Sequence, residues 1–190
     1  MQRILFVCTA NTCRSPLAEW LLRRLAQERG IALEVQSAGI YAYPGASMSN
    51  YSSHILHGRE IEHTFASQRV SEHLIEWASL VLTMTIGHKQ QLLMNYPHAV
   101  DKIFTLKEFV IDDSVREVLL QMDKLYAEIE MQFSLGQSVT EEQRSRLREM
   151  ERSLPDLDVS DPFSGSMEMY QQCALDIEAN LHKLLDRLQV

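Results

Sequence analysis

Cys8 and Arg14 stand at the two ends of the run Cys8-Thr9-Ala10-Asn11-Thr12-Cys13-Arg14-Ser15-Pro16, and their types make a nucleophile and an anion clamp. A loop wrapped ahead of a helix aims backbone N–H groups and the helix dipole at one point, which concentrates phosphate-sized anions. The same field and a nearby guanidinium favour thiolate, the nucleophilic form of cysteine. Arg14 can hold two phosphoryl oxygens in a bidentate fork, which lysine cannot do. The Ser15 hydroxyl is within reach of the sulfur and can stabilise it as thiolate and as leaving group. A plain alternative is a buried cysteine near a surface arginine, but that does not explain strand, loop, Arg, Ser and Pro in this order. A departing group also needs a proton. Asp161, in Asp161-Pro162-Phe163, can supply it as general acid; Pro162 biases Asp161 toward extended backbone, and Phe163 can wall the pocket.

The elements that position these groups are legible in outline. Residues 4–7 form an unbroken apolar run, as in a strand buried on both faces of a parallel sheet, ending on Cys8. After a six-residue loop, Ser15 is expected to cap a helix with Pro16 at its first position; Leu17, Ala18, Leu21 and Leu25 recur at helical spacing, and Gly30 follows its end. Further strands are expected at 31–35, 80–84 and 102–106. Helices are expected at 49–57, from Ser71 to Trp77, from His88 to Tyr96, and from about Ser166. Strands alternating with helices predict an α/β fold: a four-stranded parallel sheet in a Rossmann-like three-layer sandwich. Tyr41 and Tyr43 lie in a loop where they either line the pocket mouth or cover core. His54 and His57 read as helix-surface residues, and Cys173 as packed beside the last helix's stripe.

The signature run, together with Ser37-Ala38-Gly39, the stretch LVLTMT at 80–85 and Asp161-Pro162-Phe163, resembles the low-molecular-weight protein-tyrosine phosphatases, and among them the bacterial protein-arginine phosphatases. That resemblance spans about 1–109 and 159–190. It implies a phosphate-binding loop made of Thr9, Ala10, Asn11, Thr12, Cys13, Arg14 and Ser15. It also implies that Ser37 supports Asn11 by hydrogen bonding, and that Thr85 points to the arginine-directed members. Ala10 departs from the family's usual glycine, which predicts a slightly reshaped loop. Thr12 stands where tyrosine-directed relatives place a larger aliphatic residue against the phenol ring, so Thr12 and Phe163 are the expected specificity residues. Cys13, in the same curled loop as Cys8, is a candidate redox partner.

Composition bounds the rest. The chain has 190 residues and 45% hydrophobic content, enough for one phosphatase domain with a single substantial core. A net charge of −8 argues against nucleic acid. No long apolar stretch or cationic leader is present, which argues against a membrane span and predicts a cytoplasmic protein. The chemistry calls for no cofactor and no metal. There is no G-x-x-x-x-G-K motif, which excludes a P-loop nucleotide hydrolase, and Cys173 alone cannot supply an arsenate reductase's late cysteine pair.

Between about 112 and 156 the chain departs from the family. Val115, Val118, Leu119, Met122, Leu125, Tyr126, Ile129 and Phe133 make a helical stripe, begun by a Ser114/Glu117 capping box; a more polar helix follows from a Thr140/Gln143 box. This predicts an inserted helical hairpin, either a stabilising decoration or a surface for a partner or a second copy. The expected function is a cysteine-dependent protein phosphatase that hydrolyses phosphoarginine in proteins through a phosphocysteine. A protein-tyrosine phosphatase is the alternative; a phosphocysteine carrier or a phosphate-binding module stands behind both, since neither needs Arg14 and Asp161.

Overall fold

The computed structural model describes residues 2–188. The chain forms two compact units: one runs to Val110 and resumes at Leu157, and the other is Ile111–Asp156.

The first unit is built on four parallel strands, β1 (Gln2–Cys8), β2 (Leu33–Gly39), β3 (Leu80–Thr83) and β4 (Ile103–Thr105), in the order β2-β1-β3-β4. Its helices are α1 (Arg14–Glu28), α2 (Asn50–Gly58), α3 (Glu72–Trp77), α4 (Ile86–Asn95), the short α5 (Leu106–Val110) and α8 (Met167–Leu188). Alternation along β1 sorts the core into two layers. Ile4, Phe6 and Cys8 face a cluster with Leu17, Leu21, Ile177 and Leu181 of α1 and α8. Leu5 and Val7 face Leu74, Ile75 and Leu92 of α3 and α4. The three-layer α/β sandwich expected from the sequence is therefore present. Because β2 and β3 lie on opposite sides of β1, the chain reverses direction across the sheet at the end of β1, where such folds leave a crevice.

Local boundaries differ for identifiable reasons. Helix α1 begins at Arg14 with Cys13 as its cap and no side-chain cap bond; Ser15 is not the cap, because its hydroxyl is engaged with Asn11 and Cys8. Pro16 is third in the helix rather than first, still among the positions whose N–H lacks an intrahelical acceptor. Strand β2 extends through Ser37-Ala38-Gly39 instead of ending at Val35, held by full register with β1. Helix α4 starts two residues before His88, because Thr85 caps it by accepting from the His88 N–H at 3.2 Å. Strand β4 is three residues long because a 3-10 turn (Pro97–Lys102) precedes it and α5 begins at Leu106.

Strand β2 is an edge, and side chains cover it. Arg23 Nη2 donates to Val35 O at 2.5 Å, Gln68 Nε2 donates to Ser37 O at 3.0 Å, and Gly39 exchanges backbone bonds with Gln68 and Val70. Blocking the outward groups in this way protects an edge from pairing with another chain.

The second unit contains α6 (Asp113–Ser134) and α7 (Glu141–Ser153). The Thr140/Gln143 capping box forms, with both reciprocal bonds. The Ser114/Glu117 box does not: α6 begins two residues earlier, with Asp112 as its cap and no side-chain bond. Tyr126 Oη donates to Glu151 at 3.0 Å, tying the two helices together. Leu125 is the one buried apolar side chain of this unit among the described residues.

Candidate active site

Strand β1 delivers Cys8 to the crevice, and α1 starts six residues beyond it. The intervening loop is held from below by Gly39. A Cβ there would lie 2.7 Å from Asn11 N and Thr9 O, so only glycine lets the loop backbone approach the end of β2 this closely. Ile40 N donates to Cys8 O and Tyr41 N to Thr9 O, at 3.0 and 2.8 Å, and Ser49 N donates to Thr12 O at 2.9 Å.

Asn11 is the loop's keystone. It is fully buried and left-handed (φ 56°), a conformation that Asn tolerates better than most residues. Its backbone N–H points at Cys8 Sγ, 3.3 Å away. Its side-chain amide donates to Ser15 Oγ at 3.0 Å and to Ser37 Oγ at 2.8 Å, and its Oδ1 accepts from Gln68 N at 2.9 Å. Ser15 accepts from Asn11, and its one proton has two acceptors in reach: Ala38 O at 3.3 Å and, with Cys8 as thiolate, Cys8 Sγ at 3.0 Å. An N–H and an O–H thus converge on the sulfur, an arrangement that stabilises negative charge there. Ala10 is not the strained position: the left-handed residue of the loop is Asn11.

The support extends below the loop. Ser37 Oγ donates to Glu19 Oε2 at 2.6 Å, and Arg23 pairs with Glu19 at 2.6 Å. Burial raises the Glu19 pKa, partly offset by the Ser37 hydrogen bond and by Arg23. From sequence Glu19 and Arg23 look like an ordinary surface pair at i, i+4; the partner that gives Glu19 its place, Ser37, is remote in the chain. Gln68 was likewise invisible, because its contribution is a backbone N–H.

On the rim, Arg14 is buried and Asp161 is half exposed. Arg14 Nη2 donates to Asp161 Oδ2 at 2.7 Å, and Nη1 to Val159 O at 3.3 Å. Phe163 N donates to Asp161 Oδ1 at 3.1 Å, closing the turn and fixing the carboxylate. Cys8, Thr9, Ala10, Thr12, Cys13, Arg14, Asp161 and Phe163 line one cavity of about 230 Å³. All the expected residues of the loop and of the Asp-Pro turn except Asn11 and Ser15 face it; those two, with Ser37, act from beneath. Tyr41 and Tyr43 do not line it: Tyr41 bonds Gln91, and both rings are exposed. A larger cavity of about 510 Å³ follows the outer edge of β2, lined by Glu19, Arg23, Ser37, Phe65 and Trp77 among others, but no cysteine lines it.

Cys13 Sγ lies 3.2 Å from Tyr170 Oη, whose pKa is pushed up to about 12, first by burial and then by this contact. Burial pushes the Cys173 thiol up to about 12, against a lowering by Arg14, in keeping with a packed residue. His88 was unforeseen. Its Nε2 is 2.9 Å from Thr9 Oγ1 and its Nδ1 2.8 Å from Thr85 Oγ1. Burial, and then the charge of Arg14, lower its pKa to about 4, so it is neutral near pH 7. Among the described residues no helix is long and apolar enough to cross a membrane.

This geometry has known counterparts. Residues 3–128 match the family model described as low molecular weight phosphotyrosine protein phosphatase. A protein-arginine-phosphatase of Geobacillus stearothermophilus is 34% identical, with 98% of this chain and 96% of that one covered. One of Bacillus subtilis is 32% identical over the same shares. The solved structure of a YwlE arginine phosphatase, a Cys-to-Ser mutant with a phosphorylated active-site serine, superimposes with a TM-score of 0.74 at 31% identity, covering 99% of this chain and 96% of that one. Matched over two thirds of its length by that model and over nearly all of it by these relatives, the chain belongs to the low molecular weight phosphotyrosine protein phosphatase family.

Proposed function

We propose that the chain is a protein-arginine phosphatase, with Cys8 as nucleophile, Arg14 as the clamp on the phosphoryl oxygens and Asp161 as general acid and base. The observation that carries the chemistry is the convergence of Asn11 N–H and Ser15 O–H on Cys8 Sγ, with Arg14 and Asp161 lining the same cavity.

The thiolate attacks phosphorus in line, forming an S–P bond as the bond to the leaving group breaks. The loop N–H groups and Arg14 carry the charge on the equatorial oxygens. A phosphoryl dianion competes with the Asp161 carboxylate for the Arg14 guanidinium. The displaced Asp161, protonated, stands beside the leaving group and gives up its proton, to nitrogen for a phosphoguanidine and to oxygen for an aryl phosphate. It then takes a proton from the water that cleaves the phosphocysteine, releasing phosphate and restoring the thiolate.

Two features favour phosphoarginine. The most similar relatives given above are protein-arginine phosphatases, and Thr12 shares the cavity wall with Asp161 and Phe163. A phosphoguanidine is planar and rich in N–H donors. A hydroxyl and a carboxylate satisfy them, where an aliphatic wall leaves them unpaired. Thr12→Ile should move the ratio of kcat/KM for matched phosphoarginine and phosphotyrosine peptides toward phosphotyrosine while sparing small aryl phosphates; an unchanged ratio removes Thr12 from the specificity argument.

Cys13, in the same loop, is the thiol able to capture Cys8 after peroxide oxidises it to a sulfenic acid, giving a disulfide and water that dithiothreitol reverses. Cys13→Ser enzyme should then recover less activity than wild type after the same exposure; equal recovery discards this role. A thiolate enzyme of this kind works in a reducing compartment, which supports a cytoplasmic location.

A further inference from the structure

Thr9 follows the nucleophile and lines the cavity with Cys8 and Arg14. Its backbone carbonyl is already fixed by Tyr41 N, so the direction of its hydroxyl proton is set by its one side-chain partner, His88 Nε2, 2.9 Å away. That direction follows from the imidazole tautomer, whose other nitrogen meets the cap of α4. Thr85 Oγ1, as the helix cap, accepts from the His88 backbone N–H at 3.2 Å. Its second lone pair and its own proton are both in reach of His88 Nδ1 at 2.8 Å, so this bond takes its direction from the tautomer. A neutral imidazole that accepts at Nδ1 carries its proton on Nε2. In that tautomer Nε2 donates to Thr9 Oγ1 and the Thr9 O–H is left to donate elsewhere, whereas with the proton on Nδ1 it is Thr9 that donates to Nε2. The acceptor-rich group that enters this cavity is a phosphoryl oxygen. Neutrality of the ring near pH 7 agrees with its burial and with the positive charge of Arg14 nearby.

We propose that His88 is a positioning residue: by donating to Thr9 it turns the Thr9 hydroxyl into a hydrogen-bond donor to the substrate's phosphoryl group. The chain of bonds runs from the cap of α4 through the imidazole to the catalytic loop, and it adds a side-chain donor to the loop's backbone N–H groups. This rests on the phosphatase reading but not on phosphoarginine as substrate, because the phosphoryl group is common to every candidate.

The test uses para-nitrophenyl phosphate turnover and inhibition by inorganic phosphate. Turnover by wild type, lost in Cys8→Ser, checks the phosphatase reading separately. A hydrogen bond to a charged acceptor is worth about tenfold or more in affinity. Thr9→Val should therefore lower kcat/KM by about that factor and raise the inhibition constant of phosphate in parallel, while Thr9→Ser keeps most of both. His88→Ala should reproduce the Thr9→Val loss. His88→Gln, whose amide can still donate to Thr9, should recover most of it, which a merely structural role for the imidazole does not predict. In the double variant Thr9→Val with His88→Ala, the losses should not multiply. The proposal is overturned by wild-type kcat/KM and phosphate inhibition in Thr9→Val, by multiplying losses in the double variant, or by a His88→Ala loss that leaves phosphate inhibition unchanged.

Discussion

The loop after β1 and the hairpin of α6 and α7 both interrupt regular structure, yet they are held in opposite ways. In the loop, every side-chain polar atom of fully buried Asn11 has a named partner, and Gly39 admits the backbone to within contact. In the hairpin, one apolar side chain is buried among the described residues, and Met131, Phe133 and Leu135 are each about two-thirds exposed or more. A polar network sealed from water rigidifies what it holds, because each unmade bond there carries its full desolvation cost. Helices with little buried surface are marginal, since most helical stability in proteins comes from packing. The difference teaches where geometry is fixed tightly enough for in-line chemistry, and where sequence is free to change.

The sharpest way to break the comparison is to alter the loop's reacting groups. Cys8→Ser should abolish turnover. Asp161→Asn should slow it by about 10²- to 10⁴-fold while phosphate inhibition is kept or tightened, since the acid is needed for proton transfer and its carboxylate competes with phosphate for Arg14. Undiminished turnover in Cys8→Ser would end the phosphatase assignment.

Removing the loop's support should come next. Asn11→Ala leaves the Gln68 N–H without its acceptor, at a cost of about 1–3 kcal/mol for an unsatisfied buried group, and removes one donor each from Ser15 and Ser37, which keep their bonds to Cys8 and Glu19. It should lower both thermal midpoint and kcat/KM. If stability falls and kcat/KM does not, the network supports the fold but not the loop's geometry.

Acidity gives a smaller effect. Because the His88 pKa is depressed from 6.5 to about 4 in the folded protein, the unfolded chain binds its proton first as pH falls. Its contribution to stability is complete above about pH 6.5 and is lost as pH falls toward 4. Thermal midpoints of wild type and His88→Gln, measured across that window, should converge toward its acid end; parallel curves would show that the imidazole is not buried in neutral form.

Least of all should come of excising the hairpin. Replacing 115–154 with a short Gly/Ser bridge should leave a folded enzyme with nearly unchanged aryl phosphate turnover, since both layers of core and all the proposed catalytic residues lie outside it. Failure of that variant to fold, judged by circular dichroism, would show that the apolar stripe of α6 belongs to the main core.

How much of this was legible in the sequence follows the same division. Cys8, Arg14 and Asp161 could be read because their types announce chemistry and because Pro162 and the apolar run at 4–7 fix their backbone context. The alternation along β1 and the stripe on α8 were enough for the sheet and its layers. Ser15 was misread as a cap, since a hydroxyl before a helical run looks the same whether it bonds the backbone or a buried amide. Ser114 misled in a similar way, with Asp112 available two residues earlier. Glu19, Gln68 and His88 were missed because their partners are 18, 57 and 79 residues away, and no local spacing encodes such contacts. The stripe of α6 gave the hairpin's existence and approximate limits, but periodicity carries no information about how completely that stripe is covered.

The measurement that bears most directly on the central claim is kcat/KM of the wild-type protein on one peptide carrying phosphoarginine and on its matched counterpart carrying phosphotyrosine, under identical conditions and with Cys8→Ser as the blank. A wall made of Thr12 and Asp161 predicts that the phosphoarginine peptide is hydrolysed with the higher kcat/KM; a preference for phosphotyrosine would contradict it.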